Sequence, residues 1–188
     1  MSTFWRRLGL QVPIFAFSHC RDVVVAVSKA GGMGVYGAGL HSDQQIEQDL
    51  RWIEAQLGDK PYGIDLLMPS KYFGSESGGL TPDQARSAIP SDYIRFLDDV
   101  MDRYGVPAND GWDRDDHVEN LGGQRYTAKQ VEGILKLAFS FQPKLIVSAL
   151  GTPPAEVVER AHERGMLVGA LAGKVKHALK HKAAGCDL

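Results

Sequence analysis

Apolar residues recur along this chain in two alternating patterns. In one pattern they are spaced as on one face of a helix, at intervals of four, three and four residues: Ile46, Leu50, Ile53 and Leu57. This spacing predicts an amphipathic helix, which Ser42 or Asp43 is suited to cap. In the other pattern, short apolar runs show no helical spacing and predict buried strands at residues 13–18, 33–38, 62–68, 144–148 and 166–171.

A predicted helix follows each of these strands. Asp22 is suited to cap the first helix, whose apolar face we expect to contain Val23, Val24, Val27 and Ala30. Further helices are predicted at residues 91–103, 127–139, 153–164 and 175–184, and residues 186–188 resemble the start of another strand.

Strands that are apolar on both faces and alternate with helices predict a parallel sheet with both faces covered. Without residues 70–126 the chain has 131 residues, or about 26 for each of five strand–helix units. A closed (β/α)8 TIM barrel takes about 250 residues. We therefore expect residues 1–188 to form the N-terminal part of a single TIM-barrel domain of the α/β class, with about five βα units. An open, doubly wound sheet of five strands is the alternative.

Residues 70–126 interrupt this order after the third predicted strand. The segment is rich in Gly, Ser, Pro and Asp. Between Asp98 and Glu119 it contains eight acidic residues and only two basic ones. Long irregular segments inside compact domains are usually functional or mobile. We expect an insertion or flap, which could act as a lid, as a partner surface or as neither.

Composition excludes several classes of protein. The chain is 44% hydrophobic and 23% charged, carries a net charge of −2 and has two cysteines. A disordered chain, a disulfide scaffold and a nucleic-acid binder are therefore not expected. The sequence has no apolar run long enough to span a membrane and no signal peptide, which favours a cytoplasmic protein.

Two clusters could suggest metal binding, and neither supports it. The spacing in Asp113-Arg-Asp-Asp-His117 matches no calcium loop. His177 and His181 are one helical turn apart, but four lysines surround them, which predicts an exposed basic face instead. No metal is expected.

A glycine motif, Gly32-Met-Gly34-Val-Tyr-Gly37, matches the GxGxxG pattern of dinucleotide-binding proteins. That pattern must follow a strand and open a helix, so that the helix N-terminus meets the pyrophosphate. Here the glycines follow a predicted helix and lie within a predicted strand. We interpret them as a tight turn and close packing.

In a TIM barrel the chemistry lies at the C-terminal ends of the strands. Small residues dominate these positions here, which would let a flat ligand approach the backbone. Asp65 is the exception, because it is a carboxylate placed between Ile64 and Leu66 in a predicted buried strand. A buried charge without partners is very costly, so Asp65 is predicted to have a specific partner.

These segments together resemble the nitronate monooxygenases, a family of FMN-dependent TIM barrels. The resemblance is carried, in order, by Val12-Pro-Ile-Phe-Ala-Phe-Ser-His-Cys-Arg-Asp22, Ala26-Val-Ser-Lys-Ala-Gly-Gly-Met-Gly34, Gly37-Ala-Gly39, Lys60-Pro-Tyr-Gly-Ile-Asp-Leu66, Val147-Ser148 with Gly151-Thr-Pro-Pro154, and Ala183-Ala-Gly-Cys-Asp187. It covers nearly the whole chain outside the insertion. Two positions depart from the family pattern: Ile14 replaces a methionine, and Asp65 replaces an asparagine.

The resemblance implies an FMN site and its residues. The first loop would lie along the flavin ring, Asp65 would take the place of the asparagine that binds the pyrimidine edge, and further residues would complete the near side. The implied cofactor-binding residues are Ala16, Phe17, Ser18, Asp65, Ser148, Ala172 and Gly173. The family's catalytic histidine and phosphate-binding loops would lie beyond residue 188, and His19 is a candidate only because it follows the first strand.

The implied function is oxidation of alkyl nitronates with O₂, with a nitronate or another small anion as the substrate. A related FMN barrel that reduces enoyl thioesters with NAD(P)H is the nearest alternative enzyme. The second alternative is a catalytically incompetent barrel fragment. The 188-residue chain alone is expected to be inactive. An unclosed barrel also exposes two strand edges, which favours a homo-oligomer.

Overall fold

The structure is a computed structural model, and it describes residues 4–69, 84, 87–106 and 128–188. The chain divides into two compact units, Met1–Lys71 with Ala128–Leu188, and Tyr72–Thr127. The second unit has nearly the bounds of the predicted insertion. That residues 1–188 belong to one barrel domain with an insertion at 70–126 stays a prediction.

Strands and helices alternate along the first unit, as the sequence predicts. Its strands are Phe15–Ser18 (β1), Met33–Gly37 (β2), Tyr62–Leu66 (β3), Leu145–Ser148 (β4) and Leu167–Ala170 (β5). Its helices are Phe4–Arg7 (α1), Arg21–Lys29 (α2), a 3₁₀ turn at Ala38–Leu40, Asp43–Leu57 (α3), Ala128–Phe139 (α5), Ala155–Glu163 (α6) and Val175–Ala183 (α7). In the second unit, α4 spans Ser91–Arg103, the predicted bounds.

The five strands form one parallel sheet in the order β1-β2-β3-β4-β5, so each strand pairs with its neighbour in sequence. A doubly wound sheet would reverse its strand order at a switch point. No reversal occurs among the described strands, and the doubly wound alternative is therefore wrong. The arrangement is that of part of a (β/α)8 barrel.

At the free edge of β5, the last residues continue the backbone hydrogen bonding. The N–H groups of Asp187 and Leu188 donate to the carbonyl of Val168, and the N–H of Ala170 donates to the carbonyl of Leu188. This agrees with the prediction that a sixth strand starts at residues 186–188.

The sheet has an outer and an inner face, and paired residues in a parallel register share a face. The outer face, with Tyr36, Ile64 and Ile146, packs against the helices in a core that includes Ile46, Leu50, Ile53 and Leu57 of α3. The inner face contributes Met33, Val35, Leu145 and Val147, which pack with Leu10, Trp5 and Leu8 from the N-terminal segment. All four predicted positions of α3 are therefore confirmed as core.

The start of α2 differs from the expectation. Cys20, not Asp22, occupies the N-cap position, and its side chain makes no capping hydrogen bond. The buried face contains Val24, Val25 and Ser28, while Val23 is 44% exposed. Packing against the sheet and α3, not the position of the cap, selects which face of a helix is buried. In α3 the cap is Ser42, which accepts from the N–H of Gln45 at 3.2 Å.

The glycine motif lies where α2 packs against β2. A Cβ atom on Gly34 would stand 2.2 Å from the carbonyl oxygen of Val24, closer than any side chain tolerates. The Oγ of Ser28 also accepts from the N–H of Gly34 at 2.9 Å. Close helix–strand packing therefore explains this glycine, and the interpretation of the motif as packing is confirmed.

Candidate functional site

A cavity of about 440 Å³ opens on the inner face of the sheet, where the strands end. That volume lies in the usual range for small-molecule sites. Its walls are almost entirely apolar, and they are formed by Phe15, Phe17, His19, Val35, Gly39, Leu40, Asp65, Leu67, Leu145, Val147, Ala149, Gly169, Ala170, Leu171 and Leu188. Among these described residues, His19 and Asp65 have the only ionisable side chains.

Asp65 lies on the inner face of β3, and its side chain is 5% exposed. Among the described residues, no hydrogen bond reaches its carboxyl group. Burial raises the pKa of Asp65 to about 6, although the nearby His19 opposes this shift. A buried carboxyl group without a hydrogen-bond partner is an acceptor prepared for a donor from a ligand.

His19 forms part of the wall next to Asp65. Its Nδ1 donates to the carbonyl of Gly37 at 2.8 Å, and Gly37 is the register partner of Asp65 on the neighbouring strand. The ring contacts the edge of Phe17, with 4.9 Å between ring centroids. The structure thus brings together three residues that the sequence suggested separately: Phe17, His19 and Asp65.

Behind His19, a polar network that is buried at Tyr36 and Asp49 joins the site to α3. The ring of His41 stacks on Tyr36 at 5.6 Å, and its Nε2 donates to the backbone carbonyl of His19 at 3.2 Å. The hydroxyl of Tyr36 in turn donates to Asp49 at 2.6 Å. Burial, with a contribution from Asp49, raises the pKa of Tyr36 far above its ordinary value.

Asp49, at 4% exposed, receives two more donors. The guanidinium of Arg21 and the amide of Gln45 each approach one of its oxygens at 2.9 Å. A buried carboxylate with three donors is well satisfied, unlike Asp65.

The remaining predicted cofactor-binding residues do not line the cavity. The Oγ of Ser18 accepts from the N–H of Cys20 at 3.0 Å. Ser148 is fully buried and is paired in register with Leu66 of the outer face; its Oγ has no hydrogen-bond partner among the described residues. Ala16, Ala172 and Gly173 are also absent from the walls. Their roles as cofactor-binding residues stay predictions.

Several wall residues were not predicted from the sequence. Leu67 and Leu171 follow β3 and β5, and Leu40 is the last residue of the 3₁₀ turn. The alternation of side chains could have identified Leu67, because it lies two residues after Asp65. Gly39 leaves room for Leu67, since a Cβ atom on Gly39 would stand 2.6 Å from its Cδ1.

His181 connects two loops at the same end of the sheet. Its Nε2 donates to the carbonyl of Leu171 at 3.2 Å, and its Nδ1 lies 3.0 Å from the hydroxyl of Thr152. It is 4% exposed, so the expectation of an exposed basic face is wrong for this residue. The loops that follow β4 and β5 are therefore tied together.

Within the described ranges, no group of three His, Cys, Asp or Glu side chains could hold a metal ion. Residues 113–117 lie outside those ranges. No helix in the described part of the chain is long and apolar enough to cross a membrane.

Comparison with known proteins places this cavity in a family context. Rv1533 of Mycobacterium tuberculosis, whose name describes a monooxygenase, is 50% identical over 181 residues, which cover 96% of this chain and 48% of that protein. The solved structure of nitroalkane oxidase from Streptomyces ansochromogenes matches with a TM-score of 0.63 and 21% identity, covering 95% of this chain and 44% of that one. A FabK mutant (M276A) from Thermotoga maritima matches with a TM-score of 0.60 and 15% identity. The match covers 100% of this chain and 44% of that one.

The two structural matches support the fold alone, because their identities are low. The chain spans about half the length of the curated relatives it matches. The family model described as nitronate monooxygenase matches residues 10–188, nearly all of the chain. The chain therefore belongs to the nitronate monooxygenase family.

Proposed function

We propose that the protein containing this chain is an FMN-dependent oxidoreductase that oxidises alkyl nitronates with O₂. The observation that carries the proposal is Asp65, a buried carboxyl group without a described hydrogen-bond partner, set in a cavity whose other described walls, apart from His19, are apolar. A buried acceptor left unpaired is costly, which favours a ligand that brings an N–H donor to this point. Membership of the family supports the reaction class.

The described residues fit the ring of FMN. Asp65 would accept a hydrogen bond from the N–H group of the flavin pyrimidine edge. The side chains of Phe17, Leu67 and Leu171 would supply apolar surface beside a flat ring. We further propose that Ala16, Ser18, Ser148, Ala172 and Gly173 contribute through the backbone close to them.

Bound FMN would supply the electron-transfer chemistry that no amino-acid side chain provides. The chain's own residues would orient the ring and exclude water from one side of it. An ionised Asp65 accepts hydrogen bonds but cannot donate, unlike the amide of an asparagine. Its charge would also disfavour further negative charge next to it, so this residue is expected to influence the redox preference of the site.

A spectrum and an oxygen electrode test the proposal in the full-length protein. We expect the visible absorption of bound flavin and O₂ uptake on addition of propyl-2-nitronate. Flavin-loaded protein that takes up no O₂ with any alkyl nitronate would refute the reaction. NAD(P)H oxidation coupled to reduction of an enoyl thioester would instead identify the alternative reductase.

The role of Asp65 is tested by FMN affinity. Replacing a hydrogen-bonded acceptor by an apolar group costs about 1–3 kcal/mol, or roughly ten- to a hundredfold in affinity. We expect Asp65→Leu to raise the Kd for FMN by that factor and Asp65→Asn to change it little. Asp59→Leu, at an exposed turn after α3, is the matched control. Equal FMN affinities for Asp65→Leu and Asp59→Leu would contradict this role.

We also propose that residues 1–188 alone do not oxidise nitronates. The catalytic histidine and the phosphate-binding loops implied by the family resemblance would lie beyond Leu188. Expressed alone, the chain is expected to be colourless and to show no O₂ uptake with propyl-2-nitronate. Turnover by this chain alone would contradict the proposal.

A further inference from the structure

His19 presents one free ring nitrogen in the cavity wall. Its Nδ1 donates to the carbonyl of Gly37 at 2.8 Å, which assigns a proton to Nδ1 because a carbonyl only accepts. Among the described residues, no hydrogen bond reaches Nε2. In the neutral ring Nε2 is an acceptor, and in the protonated ring it is a second donor.

Phe17, His41 and Gly37 restrict the ring of His19, part of which remains exposed. Phe17 contacts it edge-on, the ring of His41 lies 6.0 Å away between centroids, and His41 also bonds to the His19 backbone. The absence of a side chain at Gly37 leaves room for the His19 ring, since a Cβ atom there would stand 2.7 Å from the Nδ1 of His19. A side chain fixed in this way is prepared for a ligand, because little freedom is lost on binding.

The surroundings of Nε2 define the chemistry of that ligand. Among the described wall residues, His19 has the one basic side chain and Asp65 has the one acidic side chain. Phe17 contacts the His19 ring, and Phe15 and Leu40 add apolar surface to the same cavity. A small molecule with an anionic end and a short alkyl chain matches this combination.

We propose that His19, in its protonated form, binds the anionic end of the substrate through Nε2–H. The substrate class is a small aliphatic anion whose charge is shared by two oxygens, such as a nitronate or a carboxylate. The role in turnover rests on the proposed function, whereas anion binding by His19 can be tested without turnover.

Butyrate is a suitable probe, because it has paired oxygens and a short alkyl chain and is not a nitronate. Its Kd is measured in the full-length protein, at pH 5.5 and pH 8, from the perturbation of the flavin spectrum. Four proteins are compared: the unaltered protein, His19→Gln, Asp65→Asn, and His162→Gln. His162 is a matched control because it lies outside the cavity, at the end of α6, where it bonds to Asp187 at 2.9 Å.

Other titratable groups lie on the elements around His19 and are the same in His19→Gln and His162→Gln. They are Cys20, Arg21 and Asp22 at the start of α2, Tyr36 on β2, His41 after the 3₁₀ turn, and Asp43 and Asp49 on α3. Burial raises the pKa of Asp65 to about 6, between the two pH values of the experiment, so Asp65→Asn separates its contribution to the pH dependence from that of His19.

We expect the unaltered protein and His162→Gln to bind butyrate at least tenfold more tightly at pH 5.5 than at pH 8. His19→Gln should bind at least tenfold more weakly than either at pH 5.5, as expected for loss of a charge-assisted hydrogen bond. Asp65→Asn should keep part of the pH dependence. A Kd of His19→Gln within twofold of the unaltered protein at pH 5.5, or an equal loss in His162→Gln, would overturn the proposal.

A second measurement does not depend on a variant or on flavin. In the unaltered protein, butyrate should shift the Nε2 resonance of His19 in ¹⁵N NMR spectra and leave that of His162 in place. No shift at His19 would overturn anion binding. If the protein holds no FMN, the proposed function fails, and this titration still decides the role of His19.

Discussion

Asp65 makes the stability of the protein depend on pH in an unusual direction. Burial raises its pKa from 3.8 to about 6, so the folded state holds the proton more tightly than the unfolded state does. Between these two values the folded state therefore binds more protons, and the free energy of unfolding falls as the pH rises. Asp65→Asn removes the charge and keeps the shape of the side chain.

The magnitude follows from the two pKa values. A shift of about two pH units corresponds to about 3 kcal/mol of stability that is present well below pH 4 and lost above pH 6. Over the practical interval from pH 4.5 to pH 7.5 the loss is about 2 kcal/mol. The apoprotein is the right sample, because a bound ligand would give the carboxylate a partner.

Urea unfolding of the apoprotein at pH 4.5, 6.0 and 7.5 measures this effect. The stability of Asp65→Asn relative to the unaltered protein should rise by about 2 kcal/mol from the lowest to the highest pH. The same comparison for Asp59→Asn, at an exposed position, should stay flat. If the difference for Asp65→Asn does not change with pH, or falls, Asp65 is not a desolvated acid and the argument for its ligand role is refuted.

Three further substitutions test the packing, and each is followed by urea unfolding. Gly34→Ala should destabilise the fold by about 3 kcal/mol, because its Cβ would stand 2.2 Å from the carbonyl oxygen of Val24. A loss of stability below about 1 kcal/mol would show that α2 moves away from β2 easily. Ser148→Ala should be neutral or stabilise by about 1 kcal/mol, since it removes a buried hydroxyl without a described partner, and a clear loss would reveal a partner. Tyr36→Phe should cost about 1–2 kcal/mol, because Asp49 loses a donor at 2.6 Å, and unchanged stability would mean that the remaining donors suffice.

The order of elements was predictable because the strands are short apolar runs, whereas in the helices apolar residues recur at helical spacing. In α3 the spacing of apolar residues and the Ser42 cap agreed, so the buried face was correct in detail. In α2 the preferred capping residue, Asp22, lies in the first turn, while the poorly capping Cys20 occupies the N-cap. Tertiary packing overrode the capping preference, and it buried Val24, Val25 and Ser28 instead of the predicted face.

The site was less predictable, because side chains alternate across a strand and an error of one residue reverses the face. Asp65 and Phe17 fall on the inner face, whereas Ser148 is paired with residues of the outer face. The cavity's link to α3 through Tyr36 was also not predictable, since it needs contacts between residues distant in sequence. The same holds for the burial of His181.

The link that His181 makes between Thr152 and Leu171 has a consequence for engineering. Connecting loops usually tolerate sequence changes, insertions and deletions better than the strands and helices that they join. Here His181 contacts both the loop after β4 and the loop after β5, so the two loops depend on each other. A donor sequence that replaces one of them without the matching hydroxyl or carbonyl would leave a buried imidazole unpaired, so the two loops are best exchanged together.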